Sequence, residues 1–241
     1  MGQAKLKKLQ IDRLREQSRQ IDHELLARAV RQVVGSSTGF HGADCLLYAI
    51  IGARALRELG IPAEPVAGSA VWRVGPGDSD VISHAREVSG AVFAQAGVPQ
   101  AMQFHAWVEA PGMLIDFSTH TLRVKAAQLD AADGGQTCVH WAPDFIWIDQ
   151  AAQDGRCKTP REVVKAPSEG QFCYIRHADI EAKAFKFEHV SGVEGSVAAT
   201  ITIYAGLLRG EEMRVMSVDS EGDLQEEPES QQLVRWSPRG G

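Results

Sequence analysis

The chain has 241 residues, of which 44% are hydrophobic and 23% are charged, as in an average soluble globular protein. Its formal net charge is -6 at pH 7, and the lack of a basic block argues against nucleic acid as the main partner. No apolar run approaches the roughly 18 residues that span a bilayer, and the charged N-terminus lacks the apolar core of a secretory signal. We therefore expect a cytoplasmic protein that binds neither nucleic acid nor membranes.

Two helices are predicted over residues 5–34. Apolar residues recur at helical spacing in both halves of this segment, and a break between the helices is expected at residues 18–22. A flexible turn rich in glycine and serine follows at residues 35–39. We expect these helices to begin a single domain that covers residues 1–216.

The third predicted helix, residues 44–59, is apolar on nearly all sides. After Asp44, charged residues occur only near its C-terminal end, and Gly60 then provides a C-cap. A helix that is apolar all round is a buried one, so its N-terminus also lies in or near the interior. Cys45 stands at that N-terminus, directly after Asp44, which is a suitable N-cap residue.

Strands are predicted at residues 64–74, 103–109 and 113–118, with a loop at residues 75–83. The last two strands are joined by Pro111-Gly112, and Pro-Gly is typical of a type II turn.

The remainder of the chain gives weaker patterns. Short strands are expected at residues 145–148 and 172–176, followed by a helix at residues 180–190. Residues 197–208 suit either a strand or a helix. Residues 217–241 are polar and acidic, which predicts a mobile tail.

The Pro-Gly turn decides which side chains of the hairpin share a face. With a two-residue loop, Trp107 lies opposite Asp116 on the neighbouring strand. Strand alternation places His105 on the same face as Trp107, so His105 and Asp116 become diagonal neighbours, roughly 5.5 to 8 Å apart. A three-residue loop would instead place Asp116 on the opposite face.

Cys45, His105 and Asp116 are residue types that can serve as a nucleophile, a base and a carboxylate that orients the base. A helix N-terminus stabilises the thiolate of Cys45, and a nearby His105 can form an ion pair with that thiolate. A carboxylate at Asp116 accepts the imidazole N–H and stabilises the imidazolium. The backbone N–H of Cys45 is a candidate oxyanion donor. The alternative is that Cys45 only fills the core, as most cysteines in apolar helices do.

The order of these motifs resembles the transglutaminase-like cysteine-protease superfamily. Its members have a Cys at the start of a buried helix that ends in "LGIPA", then a strand, and then "HAWVE" and "IDFST". Here Cys45 is followed by those motifs at residues 59–63, 105–109 and 115–119. The resemblance covers residues 39–119, about a third of the chain.

The resemblance implies a papain-like α+β fold in which a central buried helix packs on an antiparallel sheet, preceded here by the N-terminal helices. It implies Cys45 as nucleophile, His105 as general base and then acid, and Asp116 as orienter, with no cofactor. The substrate would be an amide or ester, in a small molecule or a peptide, that reacts through a thioester. Water as acceptor gives hydrolysis, and an amine gives transamidation.

The chain departs from the family pattern at the oxyanion site. Members often carry an aromatic or amide side chain before the Cys, whereas residues 39–44 contain no Gln or Asn. Phe40 and His41 are the candidates there, and Gln103 is another in the hairpin strand. Trp107 is a candidate wall of the substrate cleft. The superfamily also includes inactive members, so a catalytically silent binding module is the main alternative.

A metal-dependent hydrolase is the third hypothesis. His41, His120 and His140 would then join His105 and Asp116 as ligands. The chain has no HExxH motif, no closely spaced pair of histidines and no CxxC pair, so we expect no metal site and four free thiols.

Overall fold

A computed structural model describes residues 3–38, 44–84, 104–150, 152, 157–185, 192–213, 216–218 and 224–226. The helices are α1 Gln3–Arg19, α2 His23–Thr38, α3 Cys45–Glu58, α4 Leu122–Asp133, α5 Pro160–Val164, α6 Ala178–Ala184 and α7 Val193–Leu208. The strands are β1 Glu64–Arg73, β2 Val81–His84, β3 His105–Ala110, β4 Met113–Asp116, β5 Ile146–Asp149, β6 Phe172–Arg176, β7 Met216–Val218 and β8 Leu224–Glu226. The chain is therefore of the predicted α+β class.

Strands β1 to β6 form one antiparallel sheet, and β7 and β8 form a separate hairpin. The strand β1 is the centre of the larger sheet, because it pairs with β2, β3 and β6. Gly68 pairs with both His105 and Arg176, and Ala70 pairs with both His84 and Tyr174. Since a residue has one neighbour on each side, β2 and β3 lie end to end along one edge of β1, with β6 along the other.

The hairpin of β3 and β4 has the predicted register. Ala110 pairs with Met113 and Val108 with Ile115, so the loop consists of Pro111 and Gly112 alone. Gly112 has a φ of 74°, the left-handed conformation that the third position of a type II turn requires. This register places Asp116 on the same sheet face as His105.

One face of the sheet is covered by α2, α3 and α7. The central helix α3 is the buried element expected from its apolar sequence, since Ile51, Ala53 and Leu56 have no exposed surface. The apolar cluster around α3 also contains side chains of β1, β3 and β4, namely Ala67, Ala106, Val108 and Ile115. A helix held from all sides has a fixed N-terminus, and that end carries Cys45.

The other face of the sheet carries large aromatic side chains beneath α4. Leu122 and Ala126 of this helix pack in one cluster with Trp72, Trp107 and Leu114. Both faces of the sheet are thus covered by helices, and His105 and Asp116 lie on the aromatic face.

Several elements differ from the sequence predictions. The strand β2 occupies part of the predicted loop at residues 75–83, because pairing with β1 outweighs a short and weak local pattern. The ambiguous segment 197–208 belongs to the helix α7. Helix α6 covers only the first half of the predicted helix at residues 180–190, and residues 186–191 lie outside the described part of the chain.

The segment 217–241 was predicted as an acidic mobile tail. Its five described residues, together with Met216, form the hairpin of β7 and β8. Among the described helices of the whole chain, none combines the length and the apolar character that crossing a membrane requires.

Gly52 tests how tightly α3 is packed on the sheet side. A Cβ atom at this position would lie 2.4 Å from Cε2 of Phe117, whose side chain is buried. We expect Gly52→Ala to lower the free energy of unfolding by about 1–3 kcal/mol, although alanine favours helix by about 1 kcal/mol. Urea unfolding measures the change.

The matched control is Gly195→Ala in α7, where an added Cβ atom meets nothing within 4 Å. This substitution is expected to leave stability unchanged or to raise it by up to about 1 kcal/mol. Equal stabilisation by both substitutions would contradict the described packing of Phe117 against α3.

Candidate active site

Cys45 is the first residue of α3 and lies beside His105. The side chain is 7% exposed, and it interacts with both the His105 ring and the backbone of Ala106 in β3. The helix therefore brings the thiol to the start of the very strand that carries the histidine. As the first helical residue, Cys45 also has a backbone N–H without an acceptor inside the helix.

His105 and Asp116 form a buried hydrogen-bonded pair. Nε2 of His105 lies 2.7 Å from Oδ2 of Asp116, and the two side chains are 0% and 1% exposed. An ionised carboxylate can only accept, so Nε2 carries the proton and donates it. The predicted contact is thus present, and it follows from the two-residue turn at Pro111-Gly112.

Asp116 accepts three further hydrogen bonds. The hydroxyl of Tyr174 in β6 donates to Oδ2 at 2.7 Å, and the Ser118 N–H and hydroxyl both donate to Oδ1 at 2.8 Å. The Tyr174 oxygen in turn accepts a hydrogen bond from Nε1 of Trp72 at 2.9 Å. Because every one of these groups is buried, the carboxylate is held in one orientation.

The electrostatics favour charge on all three residues. Burial alone raises the pKa of Asp116, but the charge and hydrogen bond of His105 outweigh it and hold the pKa well below the usual carboxyl value. Burial lowers the pKa of His105, yet the Asp116 carboxylate outweighs it and the pKa is raised. Burial also raises the pKa of the Cys45 thiol, and His105 reverses this effect, so that the pKa is lowered.

The second ring nitrogen of His105 is the one available to the thiol. Nδ1 is buried and has no hydrogen bond of ordinary geometry within the described residues, while Nε2 is occupied by Asp116. Cys45 is the thiol that interacts with this ring. The thiol proton can therefore move to Nδ1 of His105, which gives a thiolate beside an imidazolium.

The start of α3 is held by neighbours other than a side-chain cap. Asp44 makes no capping hydrogen bond to the helix, and its Oδ2 accepts instead from the Thr38 hydroxyl at 2.9 Å. One turn into α3, the Tyr48 hydroxyl lies 3.2 Å from Nε2 of His120. Nδ1 of His120 lies 3.1 Å from the Phe117 carbonyl, which can only accept, so the ring donates from Nδ1.

The remaining predicted site residues have varied positions. Phe40, His41 and Gln103 lie outside the described residues. Trp107 shares the His105 face as expected, where it is 1% exposed and its ring centroid is 5.3 Å from that of Tyr174.

Two of the histidines proposed as metal ligands, His120 and His140, have other partners in the structure. Burial lowers the pKa of His120 to about 3, and both its ring nitrogens have protein partners. His140 is half exposed and lies near Cys138 and Glu169, with Nε2 of the ring 3.2 Å from the Cys138 sulfur. Within the part of the chain described here, no group of three or more His, Cys, Asp or Glu side chains is arranged to hold a metal ion.

Several residues around the triad of Cys45, His105 and Asp116 were not predicted from the sequence. Ser118 had a local signal, since an Asp followed two residues later by a backbone N–H donor is a common turn. Lys125 also had one, because helical spacing places it between Leu122 and Ala126 on the apolar side of α4. Tyr174 had none, as its role depends on the long-range pairing of β6 with β1.

Comparisons with known proteins add a family model and a fold. Residues 19–133, just under half of the chain, match the model of a family described as "Protein of unknown function (DUF2026)". A solved structure described as the crystal structure of genomics APC5867 is similar with a TM-score of 0.56 and 18% identity, over 85% of this chain and 88% of that one. At this identity, the similarity concerns the fold alone. No curated protein sequence matches the chain.

The coupling within the triad can be measured by titrating the thiol. Asp116→Asn removes the charge that favours the imidazolium, so the pKa of His105 is expected to fall and that of Cys45 to rise. The ultraviolet absorbance of the thiolate, in a background with the other cysteines replaced by alanine, should then appear at higher pH than in the parent protein.

Ser118→Ala is the matched control, because it removes one hydrogen bond to Asp116 and keeps the carboxylate charge. The Cys45 titration of this variant should stay much closer to that of the parent protein than that of Asp116→Asn does. A titration that Asp116→Asn leaves unchanged would contradict the coupling of the three residues.

Proposed function

We propose that the protein is a thiol-dependent hydrolase or acyltransferase that acts on an amide or ester bond. Cys45 is the nucleophile, His105 the general base and then acid, and Asp116 the residue that orients His105. The observation that carries this proposal is the buried chain of contacts from the Cys45 thiol through His105 to Asp116. The family resemblance at residues 39–119 points to the same chemistry in a papain-like fold, and the charged N-terminus of the sequence favours a cytoplasmic location.

In the first half of the reaction, the Cys45 sulfur attacks the carbonyl carbon of the substrate. The S–C bond forms while the carbonyl electron pair moves onto oxygen as an oxyanion. The proton held on Nδ1 of His105 then passes to the leaving amine or alcohol as its bond to carbon breaks. The product of this half is a Cys45 thioester.

In the second half, water or an amine attacks the thioester carbon. His105, now neutral, accepts the proton of the attacking group on Nδ1, and the collapse of the oxyanion releases Cys45 as a thiolate. Hydrolysis and acyl transfer share every step except the identity of the attacking group.

Asp116 fixes the geometry through both halves. Its hydrogen bond keeps Nδ1 directed at the sulfur and stabilises the imidazolium when it is present. The donors from Tyr174 and Ser118 keep the carboxylate in place and oppose its protonation. The oxyanion is stabilised by the backbone N–H of Cys45, aided by the positive end of the α3 dipole. Gln103, Phe40 and His41 remain the candidates for a second donor.

The alternative function is a catalytically inactive binding module of the same superfamily. The small exposed fraction of Cys45 favours this alternative, because a nucleophile must be reached by its substrate. Thiol reactivity separates the two functions.

We expect iodoacetamide at about pH 6 to label Cys45 much faster than the other cysteines, since a lowered pKa raises the fraction of Cys45 that is thiolate at that pH. Peptide mass spectrometry measures labelling at each cysteine against time. Burial raises the pKa of Cys173 to about 11, so this residue serves as an internal slow reference. Slow labelling of Cys45, equal to that of the other thiols, would contradict the catalytic proposal and favour the binding module.

Cys138 needs its own control in this experiment, because it is exposed and its sulfur lies 3.2 Å from His140. The Cys138→Ser variant removes that competing thiol. The rate at Cys45 should be the same in this variant and in the parent protein, and it should fall in the His105→Gln variant.

Activity itself is tested with a panel of fluorogenic amides and esters. We expect Cys45→Ala to abolish turnover of whichever substrate the wild-type protein accepts, because no thioester can form. Cys138→Ala is the matched control and should keep full activity. Equal turnover by wild type and Cys45→Ala would remove Cys45 from the mechanism.

A further inference from the structure

Lys125 is a buried cation that forms no direct ion pair with any of the described residues. The residue is 3% exposed, and its Nζ atom makes no hydrogen bond in that part of the chain. The Nζ atom lies over the ring of Trp72, 5.5 Å from the ring centroid. A cation–π contact offsets only part of the cost of removing an ammonium group from water.

His84 presents a second unpaired polar atom in the same place. Its Nε2 atom is buried and has no hydrogen-bond partner in the described chain. The end-to-end arrangement of β2 and β3 places the His84 ring centroid 6.0 Å from that of His105 and 5.8 Å from that of Trp72. The Trp72 ring thus contacts His84, His105 and Lys125 together.

Neither group makes a hydrogen bond to Cys45, His105 or Asp116, although the charge of Lys125 helps to lower the pKa of Cys45 and of Asp116. The carboxylate of Asp116 already accepts four hydrogen bonds, from His105, Tyr174 and Ser118, and none of them comes from Lys125. Burial and the Lys125 charge hold the pKa of His84 well below its ordinary value, so His84 is neutral and can donate one hydrogen bond. A buried ammonium beside a buried neutral donor, both unpaired, is a complementary partner for one carboxylate.

We propose that Lys125 and His84 form a subsite for a carboxylate group of the substrate, next to the Cys45 thiol. The inference rests on the proposed function and names its substrate class: amides or esters with a carboxylate close to the scissile carbonyl. Nζ of Lys125 supplies the charge, and Nε2 of His84 supplies a directional donor. The bound carboxylate would complete the hydrogen bonding that both groups lack.

A purely electrostatic role for Lys125 is the competing explanation, since its charge also helps to lower the pKa of Cys45. The two roles predict different effects on the rates at which Cys45 reacts with two alkylating reagents of similar shape, one charged and one neutral. Thiolate stabilisation alters the rates with iodoacetate and iodoacetamide by the same factor. A carboxylate subsite favours the charged reagent, iodoacetate, over its neutral and nearly isosteric amide.

The test is the ratio of the Cys45 alkylation rates with iodoacetate and iodoacetamide. We expect Lys125→Met to lower this ratio by about tenfold or more, because a charge-assisted hydrogen bond is lost for one reagent alone. His84→Asn should lower it by a smaller factor. Lys165→Met is the matched control, since Lys165 is exposed, and it should leave the ratio unchanged.

A measurement on the wild-type protein keeps the test valid if a variant fails to fold. Sodium acetate should slow iodoacetamide labelling of Cys45 more than sodium chloride at equal ionic strength, because acetate occupies the subsite. An unchanged ratio in Lys125→Met, or no protection by acetate, would overturn the proposed subsite. If iodoacetamide still labelled Cys45 fast in the same experiments, the proposed function would stand. Slow labelling of Cys45 by iodoacetamide in wild type would overturn both.

Discussion

The buried hydrogen bond between His105 and Asp116 is the interaction on which the candidate site depends. Two titratable side chains with almost no exposed surface lie 2.7 Å apart, and neither could be buried in its charged form without the other. Removing one partner of such a pair typically costs about 3–5 kcal/mol, because the other charge is left alone in the interior. Tyr174 and Ser118 complete the hydrogen bonding of the carboxylate, so the pair is stable although it lies deep in the molecule.

The two faces of the sheet position different residues of the candidate site. On one face, α2, α3 and α7 form an apolar core that holds α3 rigidly, and this rigidity fixes the position of Cys45 at the helix start. On the other face, Trp72, Trp107 and Tyr174 surround His105 and exclude water from its ring. The thiol and the imidazole therefore meet in a place of low dielectric, where each strengthens the charge of the other.

The sequence predicted what local patterns determine. The apolar sequence of α3 indicated its burial, and Pro111-Gly112 indicated the turn that brings His105 and Asp116 onto one face. The contact of Tyr174 with Asp116 needed the pairing of β6 with β1, more than a hundred residues apart along the chain for some pairs, and no local pattern encodes such a pairing. The polar environment of Lys125 was likewise hidden, because helical spacing shows that a lysine faces the core without showing what it meets there.

The similarity to a solved structure supports the fold, whereas the proposed chemistry is based on the residues of the site. In the proposed mechanism Cys45 carries the acyl group, and this group can be trapped on the protein. The protein would be mixed with p-nitrophenyl acetate, quenched in acid, and its mass and peptides analysed. We predict one acetyl group per chain, attached to Cys45 and absent from Cys45→Ala and His105→Gln. Acetylation at other residues, or none above the level of Cys45→Ala, would contradict a role for Cys45 as the nucleophile.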